Sequence, residues 1–173
     1  ETDPSRRVTL LQHAIDDIAA GFYRQAMFAG FELRAHRIVE SDGPITAEVL
    51  QETYLEVLQS FFADSLDDQQ WYRNTWARIP HFYGTPYYVF QYATSKAAAV
   101  LIHRRMTEGD GEERAAVVET YLELLRSGGN DHPISQLQKA GVDFTTTEPT
   151  EALVAEMDEL VGKLEDELSA LKS

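Results

Sequence analysis

The chain has 173 residues, a formal charge of −14 and no cysteine. That length suits a single domain with a buried core, and the missing cysteines exclude a disulfide framework and a thiolate metal site. The acidic balance argues against a nucleic-acid partner, which needs a basic stripe to displace counterions from phosphates.

Nor does any apolar run reach the roughly 18 residues of a membrane span, and the N-terminus lacks the basic-then-apolar pattern of a leader. The chain therefore reads as soluble and cytoplasmic, with no membrane partner. It opens abruptly at Glu1-Thr2-Asp3-Pro4-Ser5, without an initiator methionine, as expected of a fragment of something longer.

From Ser5 to about Glu40, apolar residues recur at Leu11, Ile15, Ile18, Phe22, Ala26, Ala29 and Leu33, which predicts one long helix. Gly21 and Gly30 each weaken it by about 1 kcal/mol and mark places for close packing or a bend. Ser41-Asp42-Gly43-Pro44 stops it. Thr46 caps a second helix to about Ala63, with Val49, Leu50, Tyr54, Val57, Leu58 and Phe61 inward. Asp64 to Gln70 is a polar loop, and Trp71 to Pro80 is short, aromatic and at best turn-like.

Trp76 to Ser95 concentrates aromatic rings, a histidine and turn formers within twenty positions. Pro80 fixes a backbone angle and Gly84 permits a turn, so His81 and Tyr83 are expected on a constrained loop feeding a helix that begins near Pro86. On that helix Tyr88 and Tyr92 are four apart and share a face. Such neutral donors aimed at one pocket suit a developing oxyanion, where losing one typically costs roughly a hundred- to a thousandfold in rate. Tyr87 would lie about 100° around the helix from Tyr88. Tyrosines at this spacing also serve as core residues with a wet hydroxyl.

The helix should continue to about Glu108 and stop at Gly109. Asp110 with Glu113 has the form of a capping box, opening a helix to about Ser127 with Val117, Val118, Tyr121, Leu124 and Leu125 inward. Gly128 to Asp131 is a loop, Pro133 to Lys139 a short helix, and Val142 to Thr147 an extended crossing. A last helix from about Pro149 to Leu171 carries Leu153, Met157, Leu160, Leu164, Leu168 and Leu171. Six to seven helices and almost no strand make this an all-α bundle forming a single helical domain over residues 1–173.

Glu32, His36 and Glu40 fall four apart on one helical face, a row of ordinary metal-ligand types. Bundle dimetal sites instead use Glu-x-x-His at three apart, with a second copy that this chain lacks, and Arg34 and Arg37 offer surface pairing. The row therefore reads as a paired surface, and the chain by itself as binding no metal. Glu156, Asp158, Glu159, Glu165, Asp166 and Glu167 read as a solvated acidic face.

Trp76-Ala77-Arg78-Ile79-Pro80-His81-Phe82-Tyr83 followed by Tyr87-Tyr88-Val89-Phe90-Gln91-Tyr92-Ala93-Thr94-Ser95 resembles a catalytic-domain signature of the oligoendopeptidase F family of zinc metallopeptidases, relatives of thimet oligopeptidase. The segment from Phe22 to Glu32, His36, the Gly43 to Glu48 loop, and the block of Pro133, Leu137 and Ala140-Gly141-Val142-Asp143 are similar to further family segments in the same order. Gly30 and Phe90 depart from the family's usual glutamate and tyrosine.

The resemblance implies the C-terminal part of a zincin-like helical catalytic domain acting on short peptides. In it His81, Tyr83, Tyr88 and Tyr92 are catalytic, and His81, Tyr83 and Tyr87 touch the substrate. Zinc in such enzymes is held by H-E-x-x-H, which occurs nowhere here. The expectation is a chain that carries the substrate-facing wall without the metal centre, is inactive alone, and forms a homodimer through a face the missing part would cover. The alternative is a stand-alone helical peptide-binding module without chemistry.

Overall fold

The predicted long first helix changes its hydrogen bonding partway along. In the computed structural model, which describes residues 3–67 and 69–172, helix α1 spans Pro4–Ile18 and α2 spans Arg24–Glu40, with a π-helical turn over Ala19–Tyr23 between them. Gly21 sits in the middle of that turn, at one of the two positions expected to bend, and Gln25 Nε2 donates to the Ala20 carbonyl within it at 3.2 Å. Pro4, lacking an N–H, occupies a first-turn position where none is needed. Glu1 and Thr2 of the abrupt start, and Asp68 of the polar loop, lie outside the described residues.

The C-terminus of α2 closes with Gly43 N donating to Ile38 O at 2.8 Å and Asp42 N to Val39 O at 3.0 Å. Asp42, with φ 57°, takes the left-handed position that glycine usually fills. Gly43 is required for a different reason: a Cβ there would come within 2.8 Å of the Ile38 side chain and carbonyl.

Helix α3, Ala47–Phe62, starts as expected at Thr46, whose Oγ1 accepts from Val49 N at 3.3 Å. Two short 3-10 turns, Gln69–Tyr72 and Thr75–Arg78, carry the chain to the one-turn helix α4, His81–Gly84. Helices α5 (Phe90–Glu108), α6 (Gly111–Ser127), α7 (Pro133–Lys139) and α8 (Glu148–Lys172) complete the chain. The described residues thus form eight α-helices and no strand, an all-α fold. Counted from the lower figure of the expected six to seven, the two additions arise locally, one from the π interruption and one from α4.

The chain divides into two compact units, Ala19–Ala93 and Glu1–Ile18 with Thr94–Ser173. In the first, Met27, Phe28 and Phe31 of α2 pack with Tyr54, Val57 and Leu58 of α3 and with Val89, the partly buried Trp76, Ile79 and Phe82 resting against them. Phe31 is the hub, its ring 5.3 Å from Phe82, 5.4 Å from Tyr54 and 6.3 Å from Trp76. Leu33 and Phe61, expected inward, are exposed.

In the second unit Ala98, Leu101 and Ile102 of α5 close over Val142, flanked by Val117, Tyr121 and Leu137. Val118 and Leu125, expected inward on α6, are exposed. Residues 142–147 make turns rather than the expected extended crossing. Asp143 Oδ1 accepts from both the backbone N and the Oγ1 of Thr145, at 2.9 and 2.8 Å, and so offers the chain a local partner in place of a strand ladder.

Helix α1 lies along α8. The acidic face of α8 is not simply solvated: Arg7 forks onto Glu167 at 2.7 and 2.8 Å, and Arg104 reaches Glu156 at 3.1 Å and Glu159 at 2.8 Å. Hydrogen bonds from these arginines hold the Glu167 and Glu159 carboxyls below the usual range.

Candidate functional site

Pro80 and Phe82 place the candidate histidine. Pro80 O accepts from Tyr83 N at 3.1 Å and Gly84 N at 3.0 Å, closing α4 as a helical turn where a loop was expected. Phe82 points into the core against Phe31 and Phe28, with its ring centroid 5.9 Å from Phe28, and so pins the turn. His81, one position earlier, is left half-buried at the edge of that core.

The next helix starts four residues later than Pro86. Tyr87 has φ 59°, a left-handed conformation that a continuing α-helix cannot contain and that β-carbons disfavour. Helical bonding resumes with Gln91 N donating to Tyr88 O at 3.0 Å and Tyr92 N to Val89 O at 3.2 Å, with Val89 buried. Tyr88 is therefore at the helix mouth rather than on the helix.

Tyr88 and Tyr92 nevertheless meet, ring centroids 5.6 Å apart and edge to face. His81 lies almost parallel to Tyr88 at 5.7 Å and 11°, and edge-on to Tyr92 at 5.7 Å. Tyr92 Oη is 3.2 Å from His81 Nε2. The three side chains form one contiguous cluster, and both phenols are exposed enough for a ligand to reach them.

Which atom donates between Tyr92 and His81 decides what the cluster offers. With the proton on Nε2, His81 donates to Tyr92 Oη and the Tyr92 O–H remains free to donate outward. With Nε2 unprotonated, the Tyr92 proton is spent on the ring.

Two other expected residues go elsewhere. Tyr83 Oη donates to Ala77 O at 3.3 Å, so its proton is used locally, and the ring is largely exposed. Tyr87 turns to α2, its ring 4.5 Å from that of His36, while its backbone N donates to Glu32 Oε1 at 2.8 Å.

Glu32 is consequently no surface-pairing residue. It is 3% exposed, one of the two buried polar residues among those described, and Arg34 pairs with Glu56 at 3.7 Å. Residue spacing placed Glu32 and His36 on one face, but the partner that binds both lies 55 positions from Glu32, and no pattern in the chain points to it. With Phe31, Trp76, Phe82 and Tyr83 they line a cavity of about 310 Å³, a feature that no spacing within the chain announces.

Among the described residues no group of three or more histidine, cysteine, aspartate or glutamate side chains is arranged to hold a metal ion. Glu32 and His36, two of the three residues of the α2 row, are engaged with Tyr87. The described residues therefore do not fit a zinc site. Among the described residues no helix is long and apolar enough to cross a membrane.

A family model for peptidase family M3 matches residues 1–156. The chain is 39% identical to an oligoendopeptidase F homolog of Borreliella burgdorferi, over 84% of this chain and 24% of the relative. It is 34% identical to oligopeptidase PepF of Bacillus subtilis, over 98% of this chain and 25% of the relative. The crystal structure of oligoendopeptidase-F from Enterococcus faecium superposes with a TM-score of 0.85 at 32% identity, covering 97% of this chain and 32% of that one. The chain thus spans about a quarter of the length of the curated relatives it matches.

Proposed function

We propose that this chain, which belongs to peptidase family M3, supplies the peptide-binding and oxyanion-stabilising wall of a zinc endopeptidase that hydrolyses short peptides. The observation that carries this reading is the 3.2 Å approach of Tyr92 Oη to His81 Nε2, with His81 stacked on Tyr88. Attack on a peptide carbonyl puts negative charge on its oxygen, and donors already in place stabilise that charge without reorganising. His81, donating through Nε2, polarises the Tyr92 hydroxyl and leaves its proton to the oxyanion. Tyr88 fixes the plane of the imidazole and offers a second phenol, while Tyr83 and Tyr87, both exposed, flank it as peptide contacts.

Zinc and the group that activates water belong, in this reading, to sequence outside the chain. No ligand set for the ion exists among the described residues. In the complete enzyme, Tyr88→Phe and Tyr92→Phe each lower kcat by roughly a hundred- to a thousandfold and leave KM nearly unchanged, as for interactions made only in the transition state. An unchanged kcat removes the substituted phenol from the mechanism.

A further inference from the structure

We infer that the cavity beside Glu32 is a subsite for a basic side chain, lysine or arginine, of a bound peptide. Glu32 is 3% exposed and lines a space of about 310 Å³ whose other walls include Phe31, Trp76, Phe82 and Tyr83. A carboxylate offers about four acceptor positions on two oxygens, and one taken out of water needs several donors or a cation. Among the described residues Glu32 accepts one hydrogen bond, from Tyr87 N to Oε1. Arg34, two positions along α2, turns to Glu56 instead.

The chemistry around this charge selects its occupant. Aromatic faces attract an ammonium or guanidinium through the ring quadrupole. The carboxylate adds a charge-assisted hydrogen bond, and the apolar wall accepts the methylene stem. A neutral apolar side chain would leave the charge buried and unpaired, and an acidic one would repel it. The space is at the lower end of the roughly 300–1,000 Å³ of small-ligand pockets, and holds one side chain rather than a folded partner. The net charge of −14 favours the approach of a basic peptide. The subsite rests on the peptide-binding reading above, and adds to it the side chain that the peptide must carry.

The test uses Trp76 as the reporter. Trp71 is 83% exposed, and Trp71→Phe leaves Trp76 as the only tryptophan of the chain. Capped peptides that differ only in carrying arginine, its neutral isostere citrulline, or norleucine are titrated while Trp76 fluorescence is followed. The arginine peptide is expected to bind roughly tenfold or more tightly than the citrulline peptide, with a gap that narrows in salt. Glu32→Gln keeps an acceptor for Tyr87 N and erases the gap. Equal affinity for arginine and citrulline, or tighter binding of norleucine, overturns the proposal, and this comparison needs no substitution at Glu32. The ring resonances of His81 and Tyr92 are recorded in the same titration. A peptide that moves them and leaves Trp76 unchanged overturns the subsite and spares the wall, whereas a response of Trp76 alone does the reverse.

Discussion

Glu32 Oε1 accepts the backbone N–H of Tyr87 at 2.8 Å, so a carboxylate from the middle of α2 holds a residue 55 positions later in a left-handed conformation. His36, one turn on from Glu32, packs its ring on the same tyrosine. Tyr88, a link in the His81 cluster, is the next residue, and Val89 beyond it is buried, so the clamp at Tyr87 sets where the Tyr88 ring starts.

Glu32→Ala removes the acceptor and leaves the Tyr87 N–H without one. The expected cost is about 0.5–1.5 kcal/mol, that of a typical intramolecular hydrogen bond, with loss of the ring contact between His36 and Tyr87 in NMR. Glu32→Gln, which still presents an oxygen, should lose markedly less in urea unfolding. Equal losses for the two variants would show that the bond is not what holds the turn.

Tyr92→Phe separates stability from chemistry. It deletes the hydroxyl that meets His81 Nε2 and keeps the ring contacts with His81 and Tyr88. Because the site is exposed, stability should change by less than about 1 kcal/mol. The His81 imidazole nitrogen shifts should nonetheless move in NMR, since the ring loses its partner. Unmoved shifts would place the hydrogen bond elsewhere.

Leu153→Ala is expected to destabilise the chain by about 2–5 kcal/mol, the range for deleting a buried leucine side chain and leaving a cavity. Leu153 has no exposed surface, whereas Leu171, in the same apolar row of α8, is 48% exposed. Leu171→Ala should therefore cost well under 1 kcal/mol. Chemical denaturation of both variants checks the contrast.

The pairing of Arg7 with Glu167 gives stability a direction in pH. The hydrogen bond from Arg7 lowers the Glu167 carboxyl from its ordinary 4.5. A lowered folded pKa contributes stability that is fully present above the ordinary value and is lost as pH falls through the folded one. Arg104 acts on Glu159 in the same sense. Urea midpoints of the unsubstituted chain and of Arg7→Gln should differ at pH 6 and converge as the pH drops below that ordinary value. A difference that persists undiminished in acid would mean that Arg7 stabilises through something other than its pairing with Glu167.

The chain by itself is expected not to cleave a quenched fluorescent peptide, with or without added zinc. Phenols can stabilise an oxyanion but cannot generate hydroxide near neutral pH, where a metal lowers the pKa of bound water from about 15.7 to about 7. Chelator-sensitive turnover abolished by His36→Ala would show instead that the α2 row binds a metal.

Much of this was legible in the chain. Capping at Thr46, the capping box of Asp110 and Glu113, and the Pro133–Lys139 helix appear as expected, because caps and glycine stops act within a few residues. The closeness of Tyr88 and Tyr92 was also read from their spacing, although for an incomplete reason, since Tyr88 precedes the helix.

What spacing could not decide was where Tyr87 points, what Glu32 is for, and which of four candidate side chains converge. Tyr87 adopts a disfavoured φ only because Glu32 and His36 compensate from a distant helix, and Tyr83 spends its proton on Ala77. The residues from Leu11 to Leu171 that set helix periods and stops act on their near neighbours. The cavity and the His81 cluster depend on long-range contacts around Phe31, and those exist only once α2, α3 and α4 have packed.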